Sequence, residues 1–221
     1  MKNTPFIAVT SQPVPYHADT TAIFNTLCQQ NSNSLLLDSA EIGSKNSLQS
    51  LILINVAVKI TCLGNQVTFR ALNANGKQVL KEIHPVLSQL GTVSAVNFDN
   101  EFSVQFAPLD NQLDEDSKLQ AATIFDGLRV ISNHYQHSST PVFLGGLFAY
   151  DLVANFIPMQ GVELKDDGIH CPDYSFYLAE NLITIDHQSQ QATLKSFCFS
   201  QEEQVEVAKT ALSIAQKLKN I

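Results

Sequence analysis

The spacing of apolar residues changes period several times along the chain. Asp19 can cap a helix through TTAIFNTLCQQ, where Ile23 and Leu27 recur at helical spacing. Leu35, Leu36 and Leu37 read as a short strand entering a core. The stretch LQSLILINVAVKITCLGNQVTFRALNANG then alternates Leu, Ile and Val. Its Gly64-Asn65 and Asn75-Gly76 pairs predict strands joined by tight turns. GKQVLKEIHPVLSQL sets Val79, Leu80, Ile83, Val86, Leu87 and Leu90 on one helical side, with Pro85 starting, ending or bending that helix.

VSAVNFDNEFSVQFAPL reads as two strands around an Asp99-Asn100 turn. LDEDSKLQAATIFDGLRVISNHYQ is the clearest helix. Its acidic first turn suits the positive end of the helix dipole, and Leu119, Ala122, Ile124, Phe125, Leu128 and Ile131 form its apolar stripe. VFLGGLFAYDLV is an apolar strand whose two glycines signal a bulge or the close approach of another backbone. DYSFYLAENLITIDHQSQQATLKSFCF is a hairpin turning near His187–Gln190, and EEQVEVAKTALSIAQKLK is a last amphipathic helix. Antiparallel strands mixed with four or five helices predict an α+β fold over residues 1–221 as one domain, with no linker, repeat or low-complexity tract.

Composition narrows the function classes. Charged residues are 15% of the chain against a usual ~25%, which points to a surface partly facing another domain or subunit. The net charge is −8, and no Lys or Arg has another beside it. A phosphate-tracking surface needs clustered positive charge, so nucleic acid and anionic membrane are poor partners. The longest apolar run, LILINVAV, is far too short to span a bilayer, and the N-terminus lacks a signal-peptide core. Cys28, Cys62, Cys171 and Cys198 are scattered without a C-x-x-C pair and read as reduced packing residues. These features predict a soluble, cytoplasmic protein.

Candidate chemistry is sparse. Asp38-Ser39 follows the Leu strand, and Asp38 with Glu41 three residues on forms a variant of the capping box. By spacing alone that reading outweighs a second one, in which Asp38 accepts an ammonium and Ser39 bonds a polar group of a small ligand. His134 and His137 lie three apart near a helix end, but no third metal ligand is close in sequence, and the helix dipole favours histidine there anyway. DNQLDEDS at 110–117 lacks the spacing of a calcium loop and reads as a helix start. His170 beside Cys171 suggests a nucleophile and base, although such pairs normally meet across a fold rather than along the chain. None of the common nucleotide, hydrolase or zinc-protease motifs is present.

Four segments in register resemble one family. LLLDSAEIGSKNSLQSLILINVAVKITCLGNQVTFRALNANGKQVL, LDEDSKLQAATIFDGLRVI, FLGGLFAYDLVANF and CPDYSFYLAENLITIDHQ are similar to the N-terminal region of anthranilate synthase component I. The likeness runs from about residue 18 to the chain's end. It implies a tryptophan-feedback domain, inactive alone, whose C-terminal chorismate-binding catalytic domain, with its Mg2+ ligands, is absent here. No cofactor is expected in the fragment itself. Expected partners are that catalytic domain, a glutamine amidotransferase subunit and L-tryptophan. The complete enzyme of this family makes anthranilate and pyruvate from chorismate and ammonia. An acid-serine pair after a leucine strand lines the family's tryptophan site, so the resemblance implies that Ser39 bonds the amino acid. Asp38 is one methylene shorter than the family's usual glutamate, and Gln49 stands where some relatives carry lysine. Aminodeoxychorismate synthase, with a similar N-terminal domain, and a non-catalytic scaffold that docks an amidotransferase are the alternatives.

Overall fold

The computed structural model describes residues 4–29, 31–38, 48–97, 100–108, 114–156 and 171–221. In chain order the elements are β1 (Ala8–Val14), α1 (Thr20–Cys28), β2 (Leu35–Asp38), β3 (Gln49–Leu63), β4 (Gln66–Ala71), α2 (Ala74–Leu87), β5 (Thr92–Asn97) and β6 (Glu101–Gln105). Then come α3 (Glu115–Gln120), α4 (Asp126–His134), β7 (Leu144–Phe148), a 3-10 turn (Tyr150–Asn155), β8 (Tyr174–Asp186), β9 (Gln191–Cys198) and α5 (Gln204–Leu218). The strands form one nine-stranded sheet in the order β1-β9-β8-β3-β4-β6-β5, with β2 added to β3 and β7 to β8. All described pairings are antiparallel, so the α+β class holds.

β3 and β8 are the axis, paired along nearly their whole length. On its other edge β3 pairs first with β2 and then with β4. β8 likewise pairs first with β7 and then with β9. The change of partner coincides with a register shift around Asn55–Val58, and such bulges bend a sheet. Two cores result. α1 and α5 cover Ile52, Ile54, Ile183, Ile185 and Leu194. α2 lies on β3 and β4, where Val79, Leu80, Ile83 and Leu87 meet Val58, Ile60, Phe69 and Phe102. Asp19 caps α1 as expected, accepting the Ala22 N–H at 2.8 Å.

Two expectations are corrected. Asn75-Gly76 does not turn between strands but sits in the first turn of α2, capped by Asn73. Asn75 is buried, and its amide donates to the Phe197 carbonyl while its oxygen accepts the Phe199 N–H. These two turn-forming residues serve helix–sheet packing instead. The helix expected over 113–136 is broken into α3 and α4. The Asp126 carboxylate takes the Thr123 N–H at 2.6 Å, offering the backbone a local partner in place of the helical one. Ala121 is extended and Leu119, part of the expected stripe, is 85% exposed. Pro85 sits in the last turn of α2, and Asp114 caps α3.

Two carboxylates, one half-buried and one buried, tie α2 to its neighbours. Glu82 on α2 accepts from His134 at 3.0 Å and Tyr135 at 2.9 Å, joining α2 to α4. Burial pushes its carboxyl up, but these bonds and one from Gln78 outweigh it and hold the group below the usual range. Glu180 on β8 accepts from Asn73 and Asn75. Here burial wins over those bonds, and the nearby Glu203 charge adds to it, so the carboxyl titrates above its usual range. An acid raised on folding stabilises the chain while protonated, and that contribution is lost as pH rises through the folded-state value. Glu180→Gln is therefore expected to gain thermal stability relative to wild type as pH increases above the ordinary glutamate range. A melting-temperature difference that does not change with pH would contradict this.

Candidate functional site

Asp38 is the last residue of β2, and strand register places it directly across from Ser50 on β3. Its carboxylate accepts hydroxyl hydrogen bonds from Ser50 and, at 3.3 Å, from Thr20, the first residue of α1. The Ser50 hydroxyl also lies 2.8 Å from His187 Nε2, and His187 Nδ1 lies 3.2 Å from the Tyr16 hydroxyl. His187 is placed by the turn after β8, where its own N–H donates to the Leu48 carbonyl. Five side chains from the β1–α1 connection, α1, β2, β3 and the β8–β9 turn thus converge at one end of the β3–β8 axis.

Hydrogen-bond arithmetic orients this chain. A carboxylate only accepts, so the single Ser50 proton points at Asp38. His187 Nε2 must then donate to Ser50, which leaves Nδ1 of the neutral ring to accept from Tyr16. The residue types are those of a Ser-His-Asp hydrolase, but the order differs. Asp38 bonds the serine rather than the imidazole, and Ser50 has 0% exposure, so its oxygen cannot reach a substrate carbonyl. Asp38 itself is exposed. Among the described residues two hydroxyls bond this carboxylate, and a carboxylate can accept more bonds than two, an ammonium's among them.

Ser39 and the Glu41 of the capping box fall in 39–47, outside the described residues. Gln49, exposed at the start of β3, is the neutral neighbour of Ser50. Other candidates separate. His134 is engaged by Glu82, whereas His137 lines a cleft with Tyr135, Ser138 and Thr4. His170 is outside the described residues, and Cys171 is an exposed thiol. Cys28, Cys62 and Cys198 are buried thiols, and burial with the Asp173 charge pushes Cys62 up to about 12. Inert packing is what such thiols provide. Sequence reasoning missed Tyr16, Thr20, Ser50 and His187. The β2–β3 register could have pointed to Ser50 and the β8–β9 turn to His187, whereas Tyr16 and Thr20 come in from the β1–α1 connection and α1.

No family model matches the chain. It is 85% identical over 216 residues to anthranilate synthase component 1 of Haemophilus influenzae, which covers 98% of this chain and 42% of that one. Identity to the component 1 of Vibrio cholerae is 43% over 202 residues, 90% of this chain and 38% of that one. For the Escherichia coli component 1 it is 36% over 199 residues, 89% and 37% respectively. The chain spans about two fifths of the length of the relatives it matches. Among the described residues no helix is long and apolar enough to cross a membrane.

Proposed function

We propose that this chain, homologous to about two fifths of anthranilate synthase component 1, is the tryptophan-sensing part of such an enzyme. The observation that supports the reading is the exposed Asp38 carboxylate, held by Thr20 and Ser50 at the end of β2. On this reading Asp38 receives the ammonium of L-tryptophan and Ser39 bonds the amino acid beside it. The rest of the chain, which carries Mg2+, converts chorismate and ammonia to anthranilate and pyruvate, and a glutamine amidotransferase component II delivers the ammonia. Feedback then requires that tryptophan bind one arrangement of the two parts better than another.

On this reading, as the family resemblance implies, the indole is covered largely by residues beyond this chain. Leaving most of its ~150–250 Å² in water costs a few kcal/mol, roughly 100-fold in affinity. Residues 1–221 alone are therefore expected to bind L-tryptophan about 100-fold more weakly than full-length component 1, and to be catalytically silent. Calorimetry on both chains tests this. Submillimolar affinity in the short chain, equal to that of the long one, would place the whole pocket here and refute the divided site.

A further inference from the structure

We propose that Tyr16, His187 and Ser50 form a proton-linked donor chain behind Asp38, so that the affinity of this site for an ammonium-bearing ligand rises with pH. The inference rests on the reading that Asp38 receives that ammonium. With a neutral imidazole, protons run in one direction: Tyr16 to Nδ1, Nε2 to Ser50, Ser50 to the carboxylate. Nothing in that chain carries positive charge, and the ligand ammonium is the cation Asp38 meets. A second proton on the ring can only enter at Nδ1, turning it into a donor toward the Tyr16 oxygen. The imidazolium then sits one serine away from Asp38. It stabilises the empty carboxylate and repels an incoming ammonium, so proton uptake and ligand binding oppose each other.

The surroundings assign the effect to His187. Tyr16 faces it from the β1–α1 connection, Ser50 from β3 with Asp38 of β2 behind, and the Leu48 carbonyl meets its backbone. Asp186 is adjacent in the turn and accepts the Gln188 and Ser189 N–H groups, which hold it below the usual carboxylate range, so it stays charged where imidazoles titrate. His17 is the neighbouring imidazole of Tyr16, but its Nε2 meets the Leu218 carbonyl at 2.8 Å, away from Asp38.

Reciprocal linkage supplies a readout that a purely structural role would not move: binding must expel the proton that opposes it. The experiment is calorimetry of L-tryptophan on full-length component 1 carrying these residues, at about pH 6 and pH 8, in buffers of different ionisation enthalpy. Wild type is expected to bind a few-fold more weakly at the lower pH and to release a fraction of a proton there, and less at pH 8. His187→Gln keeps a donor toward Ser50 and cannot charge. The comparison is within the variant: its affinity is expected to be the same at both pH values, with no proton release. Absence of proton release from wild type at pH 6 overturns the proposal without any variant. A pH dependence that survives in His187→Gln overturns it as well and assigns the effect to another titrating group. Asp38→Asn separates the two layers. If it fails to weaken binding at pH 8, the ammonium reading itself falls; if it weakens binding while His187→Gln behaves as wild type, only the donor chain falls.

Discussion

Gly76→Ala is expected to destabilise the chain by about 3 kcal/mol or more, at or above the upper end of what overpacking costs and a large share of a typical total of ~5–15 kcal/mol. Gly76 lies in the first turn of α2, where glycine is otherwise unfavourable by about 1 kcal/mol. The reason for it is contact. A Cβ built there would overlap the Ala57 carbonyl oxygen and lie 2.7 Å from the carbonyl carbon. That oxygen already accepts the Leu72 N–H at 2.9 Å, so moving it away would break that bond. Relief requires lifting α2 from the sheet, which opens the contacts of Val79, Leu80 and Ile83. Gly64→Ala is the comparison. Gly64 has open space around it but a φ of +57°, so alanine there meets only backbone strain of roughly 1–2 kcal/mol. Thermal unfolding of both variants checks the difference, expected at several degrees or more in favour of the Gly64 variant. Equal melting temperatures would mean that α2 does not approach β3 this closely.

The legible features of this fold were local ones. The alternation in 49–63 and 174–198 was enough to give the central strands and the hairpin turning at 187–190, because alternation records which face is buried. Gly145-Gly146 inside an apolar run signalled close backbone approach, and a Cβ on Gly146 would lie 2.7 Å from the Phe176 Cα on β8. The break between α3 and α4 was not legible. The apolar spacing over 113–136 is helical, and the competing Asp126 bond to the Thr123 N–H is decided by a single side-chain rotamer. Asn75-Gly76 has turn chemistry in the abstract, and only the packed sheet beneath α2 gives the pair its other use. At the site, Asp38 stood out because an acid ending a leucine strand is a local anomaly. The proposal of a ligand role for it beside the capping reading came from resemblance, not spacing. Its partners could not be found that way, since Ser50 and His187 are brought together from 137 residues apart by strand register.

Asp38→Asn and Ser39→Ala in full-length component 1 are each expected to raise the tryptophan concentration for half inhibition by about 10-fold or more. The magnitude follows from the bond lost. A hydrogen bond to a charged group contributes ~1.5–3 kcal/mol, or about 10- to 100-fold in affinity. Asp38→Asn keeps the shape but removes the charge that an ammonium needs. It also loses one acceptor, so Thr20 or Ser50 must turn away. Ser39→Ala removes only the neighbouring hydroxyl, and so tests the ligand contact with less disturbance to the network. Turnover without tryptophan and the melting temperature are the controls. Lost inhibition with a largely unchanged melting temperature assigns the pair to ligand capture. The opposite outcome has an equally definite meaning. Thr20 joins α1 to Asp38 and Ser50 joins β3 to it, so inhibition that persists while stability falls would make Asp38 a latch between helix and sheet, and the sensing site would have to lie elsewhere.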